Sequence, residues 1–502
     1  MHRYLIPLLL SSSLFAADIV VGPTGSIQAA IDSAQPNDRI LVQPGTYFEL
    51  IDFRGKNLTV VGVGGAAVTI LDGGVTGPVV RFANGEGPGA VLQGFTIRNG
   101  ASSTGTGGLV ASGATPTVLD CIITANHGKF GGGVSGTPTL RRCSVFGNSA
   151  GVSNGGGIYG APQLYHCVIA QNTCSRGSGG GLYLTGGTSV VEDCVLVENS
   201  VVLTGRRGGG VFVNTSATAT LRRCVIANNF VASGNYPAAG GGVCSATANT
   251  LVDSCTIFGN RLTTNSSTNG GGWWGPGTLT NSVVRGDTAP EVDGSPTAVT
   301  YCNVQGGYAG TGNIDADPRF VAPSTGDFHL DFGSPDIDAG DPARKDPDGS
   351  RVDIGAFPFQ TLYTRANTRK ADWSQPSWAE ISALVGGRQV MRVLAGAAQA
   401  NQNYLGAGSL SGTTPGLMLG GVLVPLNPDV YFDLTLANPN SSWLPGSRGT
   451  LDAAGTAELG FVLAPGLATV NGSVVVHHAV AVLGTVTPLR AATNALALTV
   501  VR

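Results

Sequence analysis

Charged side chains recur at the two positions before a repeating cysteine: Asp120, Arg141-Arg142, Tyr165-His166, Glu192-Asp193, Arg222-Arg223 and Asp253. Acid and base alternate from one repeat to the next. A carboxylate can remove a proton or activate water, and a neighbouring arginine can neutralise an anionic substrate. On that reading Glu192, Asp193, Arg222, Arg223, Asp253 and His166 are candidate catalytic groups of a lyase or hydrolase. The same alternation also serves plain cross-strand charge pairing on an exposed sheet, with no substrate involved.

A second set is aromatic. Tyr159, Tyr183 and Phe212 occupy the same place in three successive repeats, and Trp274 occupies it further on. A flat aromatic stripe on a rigid face suits stacking against sugar rings, and it equally suits a covering loop or domain. The third set is the acidic loop with Asp346, Asp348 and Asp353 around Gly349. Oxygen ligands at that spacing could hold calcium, although the twelve-residue EF-hand pattern is incomplete. Aspartates in such loops also accept turn hydrogen bonds. No CxxC pair or histidine cluster points to zinc. His477 and His478 are adjacent, so on a strand they face opposite ways.

A repeat must position these groups. Glycine clusters end at Gly108, Gly133, Gly157, Gly181, Gly210, Gly242 and Gly272, each followed by one apolar residue. A later aliphatic column runs Val118, Leu140, Leu164, Val191, Leu221, Val252, Leu279 and Val299. Three residues on comes cysteine (121, 143, 167, 194, 224, 255, 302, with Ser282 as a substitute), and five after that asparagine (126, 148, 172, 199, 229, 260, then Asp287). Successive cysteines lie 22, 24, 27, 30 and 31 residues apart. Fixed local columns with a variable period mean coils of one cross-section joined by loops of different length. The apolar positions fit short inward-facing strands and no helical window. The expected fold is therefore an all-β, parallel β-helix solenoid. The asparagines suit left-handed corners and can stack in a ladder. Nine cysteines are an odd number, and stacked parallel Cβ vectors fit disulfides poorly, so the column reads as buried thiols. Cys174 and Cys244 lie off it and are expected to be exposed.

Only 12% of residues are charged, there are four lysines and the net charge is −3. No basic face for nucleic acid is present. Residues 1–17 read as a signal peptide: Arg3, the apolar run Leu5 to Leu10, then Leu14-Phe15-Ala16-Ala17. The run is too short to span a bilayer, and no transmembrane segment is expected later. The protein is expected to be secreted or held at the cell surface, as a monomer.

Ser26-Ile27-Gln28-Ala29-Ala30-Ile31-Asp32-Ser33-Ala34, with Ser26 as N-cap, and then Pro44-Gly45-Thr46-Tyr47 resemble the opening of right-handed parallel β-helix proteins of the pectin-lyase-like superfamily. The resemblance covers residues 18–359. It implies a right-handed β-helix with a capping helix, and it is specific for fold, not for activity. The polygalacturonase NTD, DD and GHG segments and the paired aspartates of pectin methylesterases are missing. A terminal segment, Asn313 to Phe320 and Gly333 to Asp341, looks like that of secreted bacterial members.

Residues 360–376 read as a linker. Residues 377–502 carry short apolar runs, Val430 to Leu436 among them, that suggest a small antiparallel β-sandwich. Gly408 to Gly416 and Leu434 to Asn440 resemble a module recurring on secreted bacterial proteins, which implies sorting or surface attachment. The expected function is polysaccharide binding, with Tyr159, Tyr183, Phe212 and Trp274 as binding residues. A polysaccharide lyase or glycoside hydrolase, and a structural or adhesive spacer, remain as alternatives.

Overall fold

In the computed structural model, residues 17–202, 207–232, 238–263, 269–364, 380–382, 387–419, 421–464, 474–484 and 489–501 are described. The stretch read as a signal peptide, up to residue 16, and the part beyond Thr364 of the stretch read as a linker lie outside them.

Each coil places short strands on long parallel sheets. The first sheet has 12 strands, from Asp18–Val21 to Ala298–Thr300. The second has 11, from Gly45–Tyr47 to Asn303–Val304, and the third has 10, from Ile51–Asp52 to Val292–Asp293. A fourth ribbon of 6 two-residue strands runs from His127–Gly128 to Arg261–Leu262. The aliphatic and cysteine columns point inward and form one continuous core.

The columns lock together at the corners. The residue before each cysteine is left-handed: φ is 51° at Asp120, 53° at Arg142, 52° at His166, 52° at Asp193 and 49° at Arg223. The asparagines themselves are not left-handed, contrary to expectation. The residue before them takes that geometry, for instance Gln171 at 53° and Glu198 at 54°, and this turns the amide inward. There Nδ2 of Asn126, Asn148, Asn172 and Asn199 each donates to Oδ1 of the next asparagine at 3.0 Å. The same Nδ2 also donates to a backbone carbonyl of the coil before, as Asn172 does to Val145 at 2.8 Å. Burial without such partners would cost about 1–3 kcal/mol per group. The glycine clusters make room for the ladder: a Cβ on Gly157 would sit 2.9 Å from the Asn172 amide.

All nine cysteines are free and buried. The thiol column makes weak bonds to carbonyls, and Ser282 fits the same niche, with Oγ 2.7 Å from Thr280 O. The expected exposure of Cys174 and Cys244 is not found. Cys174 packs with Ala150, Val201 and Val231 in a satellite core. Cys244 lies between Phe212 and Trp274 in register, and those larger side chains shield it.

Helix α1 (Ile27–Ser33) caps the first coil. Ser26 Oγ accepts from Ala29 N at 3.1 Å, and Glu49 accepts from Ile27 N at 2.7 Å. At the other helix end Lys56 Nζ donates to the carbonyls of Ile31, Asp32 and Ala34 at 2.8 Å each. Anion at the N-terminus and cation at the C-terminus is the arrangement the helix dipole favours.

The segment after the last coil doubles back. Phe328 and Ala356 pack on Val168, Val195 and Val225, which point outward from the second sheet. Ala356 N donates to Thr256 Oγ1 at 3.1 Å, and Asp341 N to Asn281 Oδ1 at 2.7 Å. That cover explains why this outer face is apolar.

The C-terminal region holds two main sheets around one shared core, and a two-stranded ribbon, Leu417–Leu419 with Val422–Val424. One joins Leu362–Thr364, Gly387–Leu394 and Thr456–Leu463, all antiparallel. The other contains Asn403–Ser409, Val474–Val482 and Leu496–Val501, with Glu380–Ser382 added in parallel. Two expectations change. Leu362–Thr364, assigned to the linker, is a strand of the first of these sheets. Val430 to Leu436 lies in a helix, α2 (Val430–Ala437), because Asp429 caps it by accepting from Phe432 N at 2.8 Å. Among the described residues no helix is long and apolar enough to cross a membrane.

Candidate functional site

The charged column is occupied with itself. Arg223 donates to Asp193 through Nε and Nη2 at 2.8 Å each, and to Glu192 at 2.7 Å. These bonds and the two carboxylate charges raise the guanidinium pKa further. Arg222 lies 3.1 Å from Asp253, which also receives Arg344 from the doubled-back segment. Burial alone would raise the Asp253 pKa, but Arg344, Asn281 and Arg222 together lower it. Asp120 and Arg142 form a bidentate pair at 2.7 and 3.1 Å, almost fully buried. His166 shares this corner column. The structure gathers these candidates along one edge of the solenoid, paired from coil to coil, and this edge is not the cleft described below.

The aromatic residues are in register on the outer face of the third sheet, as the spacing predicts. They do not lie flat as a stripe. Tyr159 and Tyr183 stack at 5.4 Å with an interplanar angle of 6°, and Tyr183 and Phe212 at 5.1 Å and 14°. Coil spacing of about 4.8 Å is close to a ring-stacking distance, so in-register rings stack on one another. Tyr183 is sandwiched and 8% exposed, with no face left for a sugar. Trp274 is covered by Arg207, whose guanidinium carbon is 4.4 Å from the ring centroid.

Tyr159 opens onto a cavity. A cleft of about 500 Å³ runs over the third sheet, and its floor is the outward column Arg81, Val110, Ser135, Tyr159. Ser102, Thr106 and Phe130 wall one side; Ser112, Thr137 and Thr185 wall the other. Phe130 leans on Tyr159 at 5.0 Å and 45°. Gly160 lets two coils approach closely beside the floor: its φ is 136°, and a Cβ there would lie 2.2 Å from Gly136 O. Sequence reasoning missed Arg81 and Phe130. Arg81 continues the column, but its coil lacks the glycine cluster that marks the others, and Phe130 belongs to a loop.

The carboxylates suggested for calcium are engaged by backbone. Asp353 accepts from Asp338 N and Phe359 N at 2.6 Å each; Asp346 accepts from Asp353 N, and Asp348 from Ser350 N, both at 2.9 Å. Burial pushes Asp346 up to about 6. Among the described residues no group of three or more His, Cys, Asp or Glu is placed to hold a metal ion. These contacts fit turn formation better than calcium.

Residues 52–208 match the family described as the right handed beta helix region. The solenoid is a right-handed parallel β-helix. That is the coil the N-terminal motifs implied. A pectate lyase, Pel9A, is 17% identical over 68% of this chain and 96% of its own, with a TM-score of 0.42. A pectin methylesterase from carrot is 12% identical over 60% of this chain and 87% of its own, with a TM-score of 0.29. At these scores neither likeness carries an argument about activity. No curated protein matches the β-helix chain.

Proposed function

We propose that the β-helix binds an extracellular glycan in the cleft over its third sheet, without cleaving it. The supporting observation is the lining: aromatic rings of Tyr159 and Phe130 beside a row of hydroxyls, with no carboxylate or histidine among the described lining residues. Apolar rings and hydroxyl groups are what a sugar's C–H faces and hydroxyls need. Hydrolysis by the usual route needs two carboxyl groups flanking the bond, and the candidate carboxylates Glu192, Asp193 and Asp253 are paired with arginines on another edge. The export signal read at residues 1–17 supports an activity outside the cell.

The test is calorimetric titration of the full chain over a glycan panel, with assays for reducing ends and unsaturated uronates. Binding without turnover, weakened about tenfold or more by Tyr159→Ala or Phe130→Ala, is expected. Turnover that disappears in Asp193→Ala would establish the lyase or hydrolase alternative. No binding to any glycan would leave the spacer reading.

A further inference from the structure

We infer that the cleft selects a mainly neutral glycan carrying one isolated anionic substituent, a carboxylate or a sulfate, and that Arg81 is the residue that selects it. This rests on the glycan reading above. Arg81 is the one charged side chain among the described residues lining the cleft. Its guanidinium is half exposed and its counter-ion is loose: Asp52, one coil away, lies 3.6 Å from Nε. A planar guanidinium with free donors recognises carboxylate or sulfate through paired hydrogen bonds.

The position of Arg81 fixes where the charge sits. Three coil steps separate it from Tyr159 in the floor column, about 14 Å at ~4.8 Å per step. Val110 and Ser135 fill the interval. A sugar stacked near Tyr159 and Phe130 is thus a few units away from the charged one.

The rest of the face disfavours a polyanion. Between Arg81 and Tyr159 the lining offers hydroxyls, glycine and apolar surface, with no second cation. Lys129, next to Phe130, lies outside the lining. Beyond Arg81 the column ends in Asp52. Each further negative group on a ligand in the cleft would lose water without gaining a counter-ion, and one beyond Arg81 would meet like charge.

The experiment uses the full chain and neutral hexasaccharides of glucan, mannan, galactan and xylan. Each is offered unmodified, with a single carboxylate, with a single sulfate, and as the all-uronate hexamer where one exists. The singly charged forms should bind about tenfold tighter than the neutral ones, the size of one charge-assisted hydrogen bond. The preference of carboxylate over sulfate or the reverse tells which substituent is taken. Arg81→Gln should abolish the preference, bringing the singly charged forms down to the affinity of the neutral ones, while Arg81→Lys keeps part of it. Neutral and singly charged forms binding equally, or the all-uronate hexamer binding tightest, overturns the inference and leaves the glycan reading standing. No binding by any member overturns both.

Discussion

The asparagine ladder ends on a carboxyl group: Asn260 Nδ2 lies 2.8 Å from Asp287 Oδ1, and the Asn260 backbone N–H donates to the same oxygen at 2.6 Å. Asp287 is enclosed beside Glu291, whose carboxylate accepts from Asp287 N at 3.1 Å. Burial and the Glu291 charge hold Asp287 well above the usual carboxylate range, and burial raises Glu291 as well. The folded state therefore keeps a proton that the unfolded chain releases above about pH 4. Stability from this pair is full below that pH and is lost as pH rises through the folded value. Asp287→Asn should gain melting temperature over the parent steadily from pH 5 to 9. Melting curves that keep a constant offset across that range would show that the carboxyl is not held protonated.

The charge column predicts a small effect. Arg223, Glu192 and Asp193 are each a quarter to two-fifths exposed, so solvent and salt screen them. Asp193→Ala should cost about 1 kcal/mol at most in denaturant titrations, less at high salt, and leave glycan affinity unchanged.

The thiols give a count. Burial pushes Cys244 and Cys302 up to about 12, and all nine thiols are enclosed. A colourimetric thiol reagent should label none in the native protein at pH 8 and all nine after unfolding in denaturant. Rapid labelling of one or two native thiols would point to Cys174 and Cys244, and to looser cover there than the structure has.

The contact between solenoid and C-terminal sheets should fail in acid. Asp327 is fully buried and meets His329 Nδ1 at 2.8 Å, Arg392 at 3.1 Å and the Tyr363 hydroxyl at 3.3 Å. The His329 ring stacks between Phe357 and Tyr363 at 4.1 and 3.7 Å. Burial would raise the Asp327 pKa, but the His329 hydrogen bonds and the Arg392 charge bring it down to about 2. A depressed folded pKa contributes stability above the unfolded value, lost as pH falls from about 4 towards 2. Asp327→Ala should cost about 3 kcal/mol at pH 7 by leaving Arg392 without its carboxylate. It should also flatten the acid limb of the stability curve.

The solenoid was legible because its demands are local and repeat. An inward aliphatic, a small thiol three residues on, and an amide five beyond that must recur wherever the cross-section recurs. The glycines recur with them because each makes space for an amide. What stayed hidden depends on contacts between distant segments. Val168, Val195 and Val225 point outward and read as anomalies until Phe328 and Ala356 cover them. Val430 to Leu436 reads as a strand until Asp429 caps it as a helix. The cleft was half legible: Tyr159 falls on a visible column, whereas Arg81 needs the strand register and Phe130 a loop path.

The coils of Cys121, Cys143 and Cys167 each bring an amide rung, a thiol position and a place on the cleft floor, all in register with the next. Such a coil can be inherited as a cassette. Duplicating or losing the stretch from one asparagine to the next leaves the neighbours able to pair as before. The reach of the cleft is then a matter of counting: selection for a longer or shorter ligand can act on the number of coils, with no floor residue redesigned.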